Sequence, residues 1–276
     1  MLVLLYSLNK MGKVIGIISL KGGVGKTTIA AALASDLVHA HGQKVLLVDA
    51  NYSAPNIGLH MDVLCPHHTI HDVLYGGKLS AAIHERYGVD VIPGNFLYSR
   101  SINPLKLRAR LAHIKKQYDF IVIDSPPSVQ EDFLSTFYTA DEFFIVTTPD
   151  YPSLTGAMKL ARLARQRNTP IAGLIVNRIV DTHLQLTLRE IQESTNLPVV
   201  SMISEEPAVL KALFARVPTT IHAKRAKFTK AINRLSCALV GKPESSGWFE
   251  QLFAKQDSVK NREALREHFY TSIFKK

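Results

Sequence analysis

Residues 14–28 read Val14-Ile15-Gly16-Ile17-Ile18-Ser19-Leu20-Lys21-Gly22-Gly23-Val24-Gly25-Lys26-Thr27-Thr28. An apolar run over 14–19 enters a glycine-rich turn, and Ile29-Ala30-Ala31-Ala32-Leu33 continues in residues that suit a helix. Strand, glycine turn and helix is the arrangement a triphosphate site requires. Glycines let backbone N–H groups curl around phosphate oxygens, and the start of a helix adds partial positive charge. Lys26 would neutralise the outer phosphates and Thr27 would offer a hydroxyl to Mg2+. The general pattern GxxxxGK[ST] is not met, because position 20 is Leu where that pattern has Gly. In its place stands Lys21-Gly22-Gly23-Val24-Gly25-Lys26-Thr27-Thr28, with a second lysine at the head of the loop.

Outward from this loop, runs rich in Val and Ile over 44–49, 89–93, 119–124, 143–148 and 171–177 read as further buried strands. Between them 27–40, 105–117, 153–167, 184–194 and 207–216 have helical periodicity. That alternation predicts an α/β fold, a doubly wound and mainly parallel sheet with helices on both faces. It fills one domain over 13–241. Residues 1–12 form an N-terminal extension in which Met11 is a second candidate start. Residues 242–276 form a linker, Lys242-Pro243-Glu244-Ser245-Ser246-Gly247, and an amphipathic helical tail.

Composition narrows the class. The chain has 276 residues, 46% hydrophobic and 20% charged, which excludes collagen-like, repeat-dominated and largely disordered chains. No apolar run reaches the roughly 18 residues that span a bilayer. Cys65 and Cys237 are far apart with no CxxC pair, so neither a disulfide framework nor a cluster ligand set is indicated and the compartment reads as cytoplasm. Net charge is +10, and 12 Lys/Arg against 5 Asp/Glu lie between His222 and Lys276. A basic end on a nearly neutral body points to an anionic partner, membrane or nucleic acid. His67, His68 and His71 lack acidic or cysteine company and read as a surface turn rather than a metal site.

The loop with its second lysine, Lys21, resembles the deviant Walker A of the MinD/ParA family of P-loop ATPases, and the match runs from about Lys13 to Val240. Val45-Leu46-Leu47-Val48-Asp49-Ala50-Asn51 is similar to the family's second strand entering switch I, with Asn56-Ile57-Gly58-Leu59 and Thr69-Ile70-His71-Asp72-Val73-Leu74 in its following segments. Val89-Asp90-Val91-Ile92-Pro93-Gly94 has the form of another family strand end. Tyr118-Asp119-Phe120-Ile121-Val122-Ile123-Asp124-Ser125-Pro126 resembles the Walker B strand and switch II. Val146-Thr147-Thr148-Pro149-Asp150 and Ile175-Val176-Asn177-Arg178 resemble the strand ends that frame the base.

The resemblance implies a P-loop NTPase fold of the SIMIBI type, ATP and Mg2+ as cofactors, and an ATP-loaded homodimer. In it Lys21, Gly22, Gly23, Val24, Gly25, Lys26, Thr27 and Thr28 cradle the phosphates, Asn177 and Arg178 frame the base, and Thr27 and Asp124 hold the metal. Lys21, Lys26, Asp49 and Asn51 fall at the catalytic positions, with Lys21 reaching the partner's phosphates. One departure matters. The family usually carries two aspartates where this chain has Asp49-Ala50-Asn51, and the second positions and activates the attacking water. An amide can hold a water but cannot take its proton, so slow hydrolysis and a long-lived dimer are expected. Pro127 also stands where the family often has a small residue.

In the tail, Trp248, Phe249, Leu252 and Phe253 recur at helical spacing, and Leu265, Phe269, Tyr270, Ile273 and Phe274 repeat the device. The first stretch resembles the membrane-targeting helix of MinD-type proteins, although here a further stretch follows it. An anionic membrane is the expected partner, with packing on the protein's own body as the alternative. The sequence thus reads as a MinD-type switch ATPase, peripheral on the inner face of the cell membrane, that positions division or other surface machinery. The alternative is a ParA-like partition ATPase that binds non-specific DNA through Lys227, Lys230 and Arg234, with Lys224 and Arg225 just upstream. A metal-cluster carrier on this fold would need paired cysteines, and a tyrosine-kinase relative a tyrosine-rich tail.

Overall fold

The computed structural model describes residues 12–128, 131–180 and 184–242. Residues 1–11 and the tail, with Trp248, Phe249, Leu252 and Phe253, lie outside the described residues. In chain order the elements are β1 (Lys13–Ile18), α1 (Lys26–His41), β2 (Val45–Asp49), α2 (Ile57–His60), α3 (Ile70–Tyr75), β3 (His84–Arg86), β4 (Val89–Ile92) and α4 (Leu107–Ala112). They continue with β5 (Phe120–Asp124), α5 (Glu131–Thr139), β6 (Glu142–Thr147), α6 (Tyr151–Gln166), β7 (Ile171–Ile179), α7 (Leu188–Thr195), β8 (Val199–Ser204), α8 (Pro207–Ala215), α9 (Thr219–His222) and α10 (Lys227–Leu239). Among the described residues no helix is long and apolar enough to cross a membrane.

The strands form one sheet in the order β3-β4-β2-β5-β1-β6-β7-β8, parallel throughout except for β3 against β4. Successive side chains of a strand point to opposite faces, and both faces here are covered. Ile15 and Ile17 of β1 join α1 and α10 in one core, through Leu33, Leu37, Phe228, Ile232 and Leu235. On the other face Val14 packs with Ile70, Leu74 and Leu107 of α3 and α4, while Ile18 packs with Phe133, Leu154 and Leu160 of α5 and α6. The predicted doubly wound sheet is therefore present. Strand β1 lies between β5 and β6; the connection from β1 runs to β2 on one side while that from neighbouring β5 crosses to β6 on the other, and ligands of such sheets bind at this switch point, beyond the carboxyl ends of the strands.

Several local expectations change. The helix expected over 105–117 is broken: α4 occupies only Leu107–Ala112, with single 3-10 turns at Pro104–Lys106 and Lys115–Gln117. The helix expected over 184–194 begins at Leu188, because Thr187 and Glu190 form a reciprocal cap, the Thr187 N–H donating to Glu190 Oε2 at 2.7 Å and the Glu190 N–H to Thr187 Oγ1 at 3.2 Å. Strands β3 and β8 and helix α5 had no counterpart in the sequence reading. His71 is not in a surface turn. It is buried in α3, where its Nε2 bonds the Tyr52 carbonyl at 2.9 Å, its Nδ1 accepts from the Asn95 N–H at 3.1 Å and its ring stacks on Tyr98. Burial lowers its pKa, which keeps the ring neutral and matches this donor and acceptor pattern. His67 and His68 are exposed.

Candidate phosphate-binding site

The loop between β1 and α1 closes over the carboxyl edge of the sheet. Gly23 and Gly25 have φ of 75° and 96°, a left-handed conformation that disfavours any side chain. Space forbids one at Gly25 as well, since a Cβ there would lie 2.3 Å from Asn177 Nδ2. That amide belongs to the loop's support. Asn177, buried at the end of β7, donates to the Val24 carbonyl at 2.7 Å. Asn177 and the glycine loop were expected near one nucleotide, and the fold brings them into direct contact; the neighbouring Arg178 is exposed, in a left-handed conformation with φ of 56°.

Lys26 opens α1, is 7% exposed, and donates from Nζ to the Lys21 carbonyl at 3.3 Å. Burial lowers its pKa, and the nearby Asp124 carboxylate opposes that shift. Thr27 Oγ1 donates to Asp124 Oδ2 at 2.5 Å. The other carboxylate oxygen, Asp124 Oδ1, is buried without a hydrogen-bond partner. A buried, unpartnered carboxylate oxygen beside a threonine hydroxyl at a helix N-terminus fits a hard divalent cation such as Mg2+. The residues present therefore suit the metal the phosphate loop implies.

Asp49 and Asp124 are register partners at the ends of β2 and β5. Both are fully buried, and burial raises the pKa of each; the Asp124 charge raises Asp49 further. Asp49 is engaged locally: it accepts from the N–H groups of Asn51, Asn56 and Ile57 at 3.1, 2.9 and 2.9 Å. This carboxylate holds the loop after β2 in shape. Asn51 is 8% exposed; its Nδ2 donates to the Ala54 carbonyl at 2.6 Å and its Oδ1 is buried without a partner. Unpartnered acceptors thus lie on Asp124, which ends β5, and on Asn51, two residues past the end of the adjacent β2.

Lys21 does something the sequence did not indicate. Its Nζ pairs with Asp150 Oδ1 at 2.9 Å. Asp150 caps α6 through the Ser153 N–H at 2.9 Å and also accepts from Thr148 Oγ1. Burial pushes the Asp150 pKa up, but hydrogen bonds from Thr148, Lys21 and Ser153 outweigh it and hold the carboxyl below its usual range. A capping role for Asp150 is legible in Asp150-Tyr151-Pro152, since Pro favours the first turn of a helix; its reach to Lys21 is not. Pro127 lies over the loop, 3.9 Å from the position a Gly22 Cβ would take.

A family model of the AAA domain matches residues 12–171. An uncharacterised ATP-binding protein of Methanocaldococcus jannaschii is 32% identical over 235 residues, covering 84% of this chain and 89% of that one. The chain belongs to the MinD/ParA family of P-loop ATPases. Among solved structures, the cell division ATPase MinD of Pyrococcus furiosus superposes with a TM-score of 0.78 at 31% identity, covering 82% of this chain and 97% of that one. The septum site-determining protein MinD of Pyrococcus horikoshii, complexed with Mg-ADP, gives 0.79 at 30% identity, covering 83% and 96%. In this MinD/ParA chain Lys21 is paired with Asp150, and Asp49 and Asp124 are fully buried.

Proposed function

We propose that this chain is a MinD-type switch ATPase that pairs with a second copy of itself when loaded with ATP. The pair resides on the inner face of the cell membrane through the C-terminal tail and is released by slow hydrolysis. The ATPase domain is 13–241, preceded by an extension over 1–12 and followed by the linker and tail over 242–276. As a member of this ATPase family the chain takes ATP and Mg2+ as cofactors. Backbone N–H groups from Gly22 to Thr28 and the ammonium of Lys26 would bind the phosphates. Thr27 and Asp124 would hold Mg2+, which when bound neutralises phosphoryl oxygens. Asn177 keeps the loop closed, and with Arg178 it would border the base.

The observation that carries the dimer reading is the placement of Lys21. Its ammonium is not folded into its own chain's cradle but rests on Asp150, in an ion pair whose members are each 40% exposed. A pair so open to solvent is worth about 0–1 kcal/mol, so its exchange for the phosphates of a second copy costs little. A lysine delivered in trans stabilises charge on the leaving phosphates and makes pairing depend on the bound nucleotide. Asn51 supports the slow turnover: its free Oδ1 can accept one hydrogen bond from a water, which positions it, but the amide cannot remove the proton.

The test is size-exclusion chromatography and liposome binding of wild type and Lys26→Ala with ATP, ADP and no nucleotide. The proposal expects a dimer, and vesicle binding, only for wild type with ATP. A protein that remains single when saturated with ATP refutes it.

A further inference from the structure

The surplus positive charge is not where the membrane reading would first place it. Residues 243–276 carry six Lys/Arg and five Asp/Glu, so the tail itself is almost neutral. Between Pro207 and Lys242 there are eight Lys/Arg and no Asp or Glu. This segment is α8, α9 and α10, part of the folded ATPase domain.

The structure gives that charge a definite face. Phe228, Ile232, Leu235 and Leu239 of α10 pack inward with α1. Lys227, Lys230 and Arg234, at helical spacing on the opposite side, are exposed, as are Lys224 and Arg225 in the turn before the helix. Seven residues of helix span about 10 Å, so these cations form a strip rather than a point. Among the described residues, Asp36 and Glu206 lie against α10 and are bound by its inner or terminal groups. Asp36 of α1 is 6% exposed and accepts from Ser236 and Asn233. Glu206 accepts from the backbone N–H groups of Lys227 and Phe228 at 3.1 and 2.9 Å.

We infer that the basic strip of the α9–α10 turn and α10 is a contact for anionic bilayer surface, supplying the electrostatic part of an attachment whose apolar part is the C-terminal tail. The inference rests on the membrane reading above and assigns its lipid-charge dependence to the folded domain. A weakly apolar anchor gains stable residence only with a second contribution, commonly a polybasic patch. Here the aromatic residues begin at Trp248, nine residues after α10 ends at Leu239, while the segment 243–276 brings almost no net charge of its own. A nucleic-acid duplex would also attract the strip, but it offers no place for Trp248, Phe249, Leu252 and Phe253. A bilayer offers both anionic headgroups and an apolar interior.

Full-length protein with ATP and Mg2+ is co-sedimented with vesicles of phosphatidylcholine alone and of phosphatidylcholine mixed with phosphatidylglycerol. Wild type is compared with Lys227→Gln/Lys230→Gln and with a chain ending at Lys242. Each Lys or Arg near an anionic surface is worth about fivefold in partition. The double variant should therefore keep nucleotide-dependent dimerisation and its binding to neutral vesicles, and lose roughly tenfold or more on anionic ones. The shortened chain should lose binding to both. A double variant with wild-type preference for anionic vesicles overturns the inference and leaves the tail reading standing. Wild type that binds no vesicle at all overturns both. A variant that loses retention of plasmid DNA while its vesicle binding is unchanged assigns the strip to nucleic acid and overturns the membrane contact.

Discussion

The substitution Asn51→Asp tests the account of turnover most directly, and its cost can be worked from the structure. Asn51 Nδ2 donates to the Ala54 carbonyl at 2.6 Å, and a carboxylate cannot. The carbonyl is not stranded, because Asn56 Nδ2 also reaches it at 2.8 Å. The loss is therefore close to one net hydrogen bond, about 1 kcal/mol. Setting a carboxylate in a site 8% exposed, beside the buried carboxylate of Asp49, adds a further penalty that is partly relieved by protonation. Together the nucleotide-free protein should lose about 1–3 kcal/mol, a fall of roughly 2–10 °C in Tm for a domain of this size. Turnover should move the other way. A group able both to orient and to deprotonate the attacking water contributes up to about 100-fold or more in favourable sites, and a gain of roughly tenfold in kcat is expected because phosphoryl transfer depends mainly on positioning. Phosphate release at saturating Mg-ATP, with differential scanning fluorimetry on the same samples, reads both effects. A folded variant whose kcat equals wild type, or a gain matched by Asn51→Ala, would refute the reasoning.

Further outcomes concern pH and three more variants. Burial raises the pKa of Asp49 and Asp124, so the folded state holds protons that the unfolded state has released; nucleotide-free stability should fall as pH climbs above the ordinary carboxylate value of 3.8. Asp124→Asn should flatten that slope, read as Tm against pH for the two proteins. The same variant should be more stable than wild type without nucleotide at pH 8, by about 1–3 kcal/mol, and should lose the extra stabilisation that Mg2+ adds to ATP; unchanged Mg2+ dependence would remove Asp124 from the metal site. Asn177→Ala should cost about 1–3 kcal/mol by leaving the Val24 carbonyl unpaired and should weaken ATP binding, measured by chemical denaturation and calorimetry. Asp150→Asn should change stability by less than about 1 kcal/mol, since the Lys21 pair is half exposed, yet shift the ATP concentration at which dimers form.

The sheet was legible because each of its inner strands announces itself locally. Ile121-Val122-Ile123 and Leu46-Leu47-Val48 are buried on both faces and read as unbroken apolar runs. The strands that escaped notice are the two edges. His84-Glu85-Arg86 is polar and largely exposed, and β8 alternates buried and half-buried residues, so neither carries the signal of a central strand. His71 was misplaced for a related reason: its neighbours His67 and His68 are exposed, while its partners Tyr52 and Asn95 come from distant loops.

By itself the sequence determined the phosphate loop, because a cradle of consecutive N–H groups is built from adjacent residues, and glycine spacing records it directly. It also determined the substitution at position 51 and the two wound faces of the sheet. Only the tertiary structure decided which groups meet around that loop. Thr27 meets Asp124 across 97 positions, Asn177 meets Val24 across 153, and Lys21 is drawn to Asp150 across 129. The tertiary structure also decided which side of α10 is covered, because Phe228, Ile232, Leu235 and Leu239 pack inward with α1 and leave Lys227, Lys230 and Arg234 exposed. Such meetings follow from strand order and helix orientation, which depend on how all the apolar faces pack at once, and no local run of residues encodes them.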